Sequence, residues 1–168
     1  MKRVLISSLF LASSAAAHAE VLAAGPDHYE LKQAAVSALS PGELWDRLIH
    51  PEVWWHPDHT YSGAAEHLSL DLKAGGLWKE AWDDGSVAHG TVLTVLNGKM
   101  LRLDAPFGPL QDKGVNVVWT ITLAAEGEGT RVTFNETANG TAASALDDLA
   151  PAVDYVKTEA ITRLVRPD

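Results

Sequence analysis

The run Val115-Asn116-Val117-Val118-Trp119-Thr120-Ile121-Thr122-Leu123 decides how this chain folds. Val115, Val117, Trp119, Ile121 and Leu123 fall on every second position, the spacing of a strand with one buried face. The same period extends both ways. Downstream, Glu126-Gly127-Glu128-Gly129 closes a hairpin into a strand over 131–137. Upstream, Asn97-Gly98 is the dipeptide preferred by two-residue hairpin turns. It joins a strand over 99–104 to one in which Val87, His89, Thr91, Leu93 and Val95 share a side. Before the Asp83-Asp84-Gly85 turn, Trp78, Glu80 and Trp82 alternate with Leu77, Lys79 and Ala81. Gly75-Gly76 separates these from Leu68, Leu70 and Leu72. Six antiparallel strands are therefore expected from residue 66 onward.

The flanks read differently. Residues 20–26 read as a short flexible lead-in, and 28–38 as a first strand. Ser40-Pro41-Gly42-Glu43 then supplies a cap hydroxyl, a proline at the first helical position and a glutamate at the third. Pro51 and Pro57 divide the residues after this cap into two short helices. After a 141–145 linker, Leu146, Leu149, Val153, Val156, Ala160 and Leu164 recur three or four apart, so they form one helical stripe. Asp147, Asp148, Asp154, Lys157 and Arg163 fall away from it. Pro151 suits a first turn, so the helix is expected over about 149–165. The expected class is α+β, in the order β-α-α-β6-α. A curved antiparallel sheet of about seven strands wraps one long C-terminal helix, because such a sheet must bury a face.

The chain has 168 residues, 22 acidic against 13 basic, a net charge of -9 and no cysteine. Disulfide scaffolds and thiolate metal sites are excluded. Clustered lysine and arginine are missing, which argues against nucleic acid as a partner. Residues 1–19 read as a cleaved secretory signal: Lys2 and Arg3, an apolar stretch over 4–17, then Ala17-His18-Ala19 as a small-x-small cleavage site. The stretch is shorter than the roughly 20 residues of a spanning helix, so no integral membrane segment is expected after cleavage. The remaining 20–168 form one domain, exported to the periplasm or secreted.

Leu44-Trp45-Asp46, the Trp54-Trp55 pair, Ala74-Gly75-Gly76-Leu77-Trp78-Lys79-Glu80, Asp84-Gly85 and Gly129-Thr130-Arg131-Val132-Thr133 occur in that order. Together they resemble the START-like SRPBCC superfamily, in particular homologues of the heat-shock-protein ATPase activator, over about 28–166. The resemblance implies a helix-grip fold with a cavity between sheet and C-terminal helix. Across the superfamily that cavity takes apolar ligands and sometimes supports catalysis, as in polyketide cyclase-like members. Export would separate this chain from the cytoplasmic chaperone that names the branch.

Alternation points Trp78, Glu80, Trp82, His89, Trp119, Phe134 and Glu136 toward a common interior. Glu80, His89 and Glu136 would each cost several kcal/mol, on the order of 2–7, if buried without partners. They are the candidate acid and base residues. The alternative is that Glu80 and Glu136 sit near strand ends and pair with Lys79, Lys99 or Arg131. Trp54 and Trp55 read either as a lid over the cavity or as core filler, and Val153 and Val156 face it from the helix. The expected function is a carrier of a small apolar or aromatic molecule. The alternatives are an enzyme with cyclase, hydrolase or isomerase-like acid/base chemistry in the same cavity, and a partner-binding module with a closed core. No cofactor is expected. His50, His56, His59 and His67 lie close in sequence, but their spacing matches no metal signature, so His56-Pro57-Asp58-His59 reads as a surface loop.

Overall fold

The computed structural model describes residues 18–166. The signal segment therefore lies almost wholly outside the described residues. Strands β1 (His18–Gly25) and β2 (His28–Ser37) form a hairpin, followed by helices α1 (Pro41–Leu48) and α2 (Pro51–Trp54). Then come β3 (Leu68–Leu70), β4 (Leu77–Trp82), β5 (Gly85–Leu96) and β6 (Met100–Asp104). A helical turn α3 (Pro109–Asp112), strands β7 (Asn116–Glu126) and β8 (Gly129–Asn139), and helix α4 (Leu146–Leu164) complete the order. The eight strands make one antiparallel sheet, β1-β2-β8-β7-β6-β5-β4-β3, so an α+β architecture stands, with eight strands rather than seven.

The additional strand is β1. Its small residues and exposed Val21 and Leu22 carry no alternation, so the segment read as a lead-in; its order comes from the ladder with β2, interrupted by a bulge at Leu22. The α1 start forms as expected. Ser40 and Glu43 close a reciprocal capping box, which satisfies otherwise orphaned N–H groups. Helix α4 starts earlier than expected because Ala145, at φ 50°, turns the chain directly into Leu146. The expected linker contains a single 3₁₀ turn at Ala142–Ser144, and the first Leu-rich strand is limited to Leu68–Leu70.

Two interruptions in β5 shift the phase of its inward face. Trp78 pairs with Gly90 and Lys79 with Ala88, so His89 is the extra residue of a β-bulge. On the other side Val92 pairs with Leu103 and Thr94 with Arg102, which leaves Leu93 bulged. Consequently His89, Gly90 and Val92 are buried while Leu93 is 45% exposed, against the expectation that Leu93 and His89 share a side.

The core has two parts. One gathers Trp54, Trp55, Trp78, Trp119 and Phe134 with Leu44 and Leu48 of α1 and Ile161 and Leu164 of α4. The other joins Tyr29, Leu31, Leu110, Val117 and Ala138 to Leu146 and Ala150 at the start of α4. Packing of α4 across the sheet brings the two together without filling the space between them.

Candidate functional site

That unfilled space is a cavity of about 470 Å³. Ala105, Phe107 and Trp55 line it from the first core, Leu110 from the second, and Leu149, Val153 and Val156 from α4. Its polar lining includes His59, Thr60, His89, Asp112, Glu136 and Lys157. The volume lies within the roughly 300–1,000 Å³ typical of small-molecule sites.

Lys157 is the residue that sequence reasoning placed on the wrong face. It is 2% exposed, and its Nζ lies 2.8 Å from Oε2 of Glu136 on β8. The Tyr29 hydroxyl donates to the other carboxylate oxygen at 2.7 Å. Lys157 Nζ also sits 3.2 Å from the ring centroid of Trp119 and 4.8 Å from that of Phe107. Rings of this kind attract an ammonium through their negative faces. Burial pushes the Lys157 amine below its ordinary range, partly offset by Glu136. Burial raises the Tyr29 phenol, with Glu136 adding to the effect. The close approach of Lys157 to Glu136 is off-angle, so neither Nζ nor Oε2 has an aligned hydrogen-bond partner among the described residues. Trp119 Nε1 is buried without a partner as well. The one signal available in the sequence was Glu136 itself, since a carboxylate on an inward position needs compensation from a cation or from hydrogen-bond donors.

Glu80 occupies a second polar cluster. Its carboxylate accepts from the backbone N–H groups of Tyr61 at 3.0 Å and Ser62 at 2.5 Å, and lies 3.0 Å from Nε2 of His89. Burial favours the neutral acid, but these hydrogen bonds outweigh it and hold the carboxyl below its ordinary value. Burial likewise lowers His89, with Glu80 opposing. Glu80 is fully buried and absent from the cavity wall, and it touches two residues that do line it, His89 and Tyr61. Pairing with Lys79, Lys99 or Arg131 does not occur; Arg131 binds Glu126 instead.

Of the expected ligand contacts, Trp55, His89, Glu136, Val153 and Val156 line the cavity. Trp54, Trp78 and Phe134 are core, stacked edge-on or tilted around Trp55 and Trp119. Trp54 donates through its indole N–H to the Leu48 carbonyl, which fixes it as filler beneath α2. Trp119 is buried beneath Lys157, behind the wall. Trp82 is half-buried at the end of β4, packed over Gly85, away from the other aromatics. Its strand position is right, but it ends β4 at the turn into β5 and does not line the cavity.

No family model and no curated protein matches the sequence. Solved structures with a similar fold include the conserved protein of unknown function EF2215 from Enterococcus faecalis, with a TM-score of 0.56 and 12% identity over 83% of this chain and 70% of that one. Ms6760 from Mycobacterium smegmatis gives 0.56 and 20% identity, covering 80% of this chain and 87% of its own. CalU16 from Micromonospora echinospora gives 0.52 and 16% identity, covering 91% and 85%. At these identities the likeness concerns the fold alone.

Proposed function

We propose that the protein binds a small, mainly apolar molecule in the cavity, and that the molecule carries one hydroxyl or carbonyl group facing Lys157 and Glu136. The observation that carries this reading is the Lys157–Glu136 pair among the residues lining a largely apolar cavity, with Lys157 Nζ and Glu136 Oε2 buried just behind the surface and without an aligned hydrogen-bond partner among the described residues. A buried donor and acceptor left unsatisfied cost about 1–3 kcal/mol each. Once a small rotation of either side chain turns these atoms to the cavity, a ligand hydroxyl satisfies both at once, and a carbonyl satisfies the lysine. A carboxylate fits less well, because it would place a second anion beside Glu136. In this reading the domain is a helix-grip member of the SRPBCC superfamily, and the segment over 1–19 directs its export.

Native mass spectrometry of the protein purified from the periplasm of a host grown on rich medium tests the proposal. A reproducible small-molecule adduct, lost on denaturation and absent from a Val153→Trp variant whose indole fills the cavity, is the expected result. A bare polypeptide mass across growth conditions, together with no uptake of the apolar probe N-phenyl-1-naphthylamine, overturns it in favour of a partner-binding module. N-terminal sequencing of the same material reads the cleavage site.

A second reading is acid/base catalysis, favoured by the bulge that turns His89 into the cavity with Glu80 behind it, since bulges of this kind re-aim side chains beside active sites. Returning the released adduct to fresh protein separates the two. Stoichiometric rebinding of an unchanged mass supports the carrier. A new mass, lost in His89→Gln, supports the enzyme.

A further inference from the structure

The His56-Pro57-Asp58-His59 loop meets α4 at Glu159. His59 Nε2 lies 2.8 Å from one carboxylate oxygen of Glu159 and His56 Nε2 lies 3.5 Å from the other. One ligand atom from each of the three residues falls within 4.8 Å of the others. We infer that His56, His59 and Glu159 form a three-ligand site for a divalent transition metal, zinc foremost, at the rim of the cavity.

The donor set is two imidazoles and a carboxylate, which suits zinc and leaves a fourth position open. In a tetrahedral site with ligands at about 2.0–2.1 Å, ligand atoms lie roughly 3.4 Å apart. The 2.8 and 3.5 Å separations run to different oxygens of Glu159, and one atom from each residue lies within 4.8 Å of the others, so the three side chains draw together as a metal binds. The side chains are 25%, 23% and 27% exposed, accessible to an ion yet partly enclosed. The loop is also held in place. Trp55 Nε1 donates to the His59 carbonyl, the Thr60 hydroxyl donates to the Pro57 carbonyl, and Glu80 clamps the N–H groups of Tyr61 and Ser62. Because His59 lines the cavity too, a metal here would border the ligand site.

Asp58 has a defined part. In the metal-free arrangement its backbone N–H donates to His56 Nδ1, so a neutral His56 carries its proton on Nε2, facing Glu159. Metal coordination through Nε2 requires that proton on Nδ1. The Asp58 carboxylate, 3.8 Å from Nδ1, is the acceptor available there. A carboxylate behind a ligating histidine fixes its tautomer and raises its affinity.

Titration of the full chain with Zn²⁺ alone, by calorimetry and by metal analysis after dialysis, tests this, with Co²⁺ as a spectroscopic reporter. One equivalent of zinc per chain and a tetrahedral Co²⁺ d–d spectrum are expected. Uptake and spectrum should disappear in His59→Gln and Glu159→Gln and remain in His50→Gln, whose histidine lies outside the cluster. Asp58→Ala should weaken affinity by about 10-fold or more. Circular dichroism melts of each variant separate loss of binding from loss of fold. Absence of stoichiometric uptake overturns the inference and leaves Glu159 as a tether between loop and helix. Uptake that survives both ligand variants, or that His50→Gln abolishes, overturns it as well.

Discussion

Lys157 shows what a single buried charge demands. Its ammonium and the Glu136 carboxylate are both removed from water, and each depends on the other for compensation. Lys157→Met should therefore destabilise the fold by about 3–5 kcal/mol, because it strands the carboxylate with only the Tyr29 hydroxyl. The double change Lys157→Met with Glu136→Gln should recover most of that loss. Urea unfolding of the two variants and of Glu136→Gln makes the cycle; additive losses would show that the residues do not interact. At this scale the sequence was partly legible. Glu80, His89 and Glu136 are visible as polar residues on inward positions, and all three are buried. Lys157 was not legible, since it follows Val156 directly, at the margin of the apolar stripe, and a lysine there is ordinarily a solvated edge. Only the partner on β8 reveals it.

At the scale of elements, the decisive device is the segment between α2 and β3, which has little regular structure and is anchored by side chains from elsewhere. Glu80 holds it to the sheet and Glu159 holds it to α4. Glu80→Ala should release the Tyr61 and Ser62 amides, so their hydrogen exchange should accelerate by at least ~10-fold while amides in β7 and β8 keep their protection. Uniform acceleration would mean a global loss of stability instead. The same cluster sets an acid sensitivity. His89 lies below its ordinary 6.5 in the fold and Glu80 below its ordinary 4.5. Each favours its deprotonated form when folded, so the stability each supplies is complete above its unfolded value. It is lost as pH falls through the folded one. The melting temperature should decline below about pH 6.5 through His89 and again below about pH 4.5 through Glu80. His89→Gln should flatten the upper step; an unchanged profile would place that step elsewhere. Short elements of this kind escape sequence reading because periodicity sees neither a bulge nor an anchor from another strand. The capping box of α1 was legible because its signal is local.

For the whole molecule, the fold was largely legible because six of the eight strands alternate and the long helix keeps its stripe. The Gly75-Gly76 and Gly129 positions in the family-like motifs have physical reasons. Gly75 has φ of 80°, a Cβ on Gly76 would meet the Asp71 carbonyl at 2.0 Å, and one on Gly129 would meet that of Ser37 at 2.1 Å. The missed strand lies at an open edge, and an edge strand needs neither alternation nor a strong pattern when its neighbour supplies the ladder. Although β1 contributes little apolar burial, it covers the β2 edge. The chain just after it is tied to the far end of the domain, with Leu146 N–H donating to the Pro26 carbonyl and Gly140 N–H to that of Asp27. A chain beginning at Asp27 should therefore fold with a bare β2 edge. A loss of about 2 kcal/mol would lower its melting temperature by roughly 4–8 °C, and concentration-dependent association should appear in light scattering as bare edges pair. A chain beginning at Glu20, where the expected cleavage falls, retains most of β1 and should behave as the full domain does. Equal melting temperatures and equal monodispersity for the two chains would show that β1 plays no part in protecting the sheet.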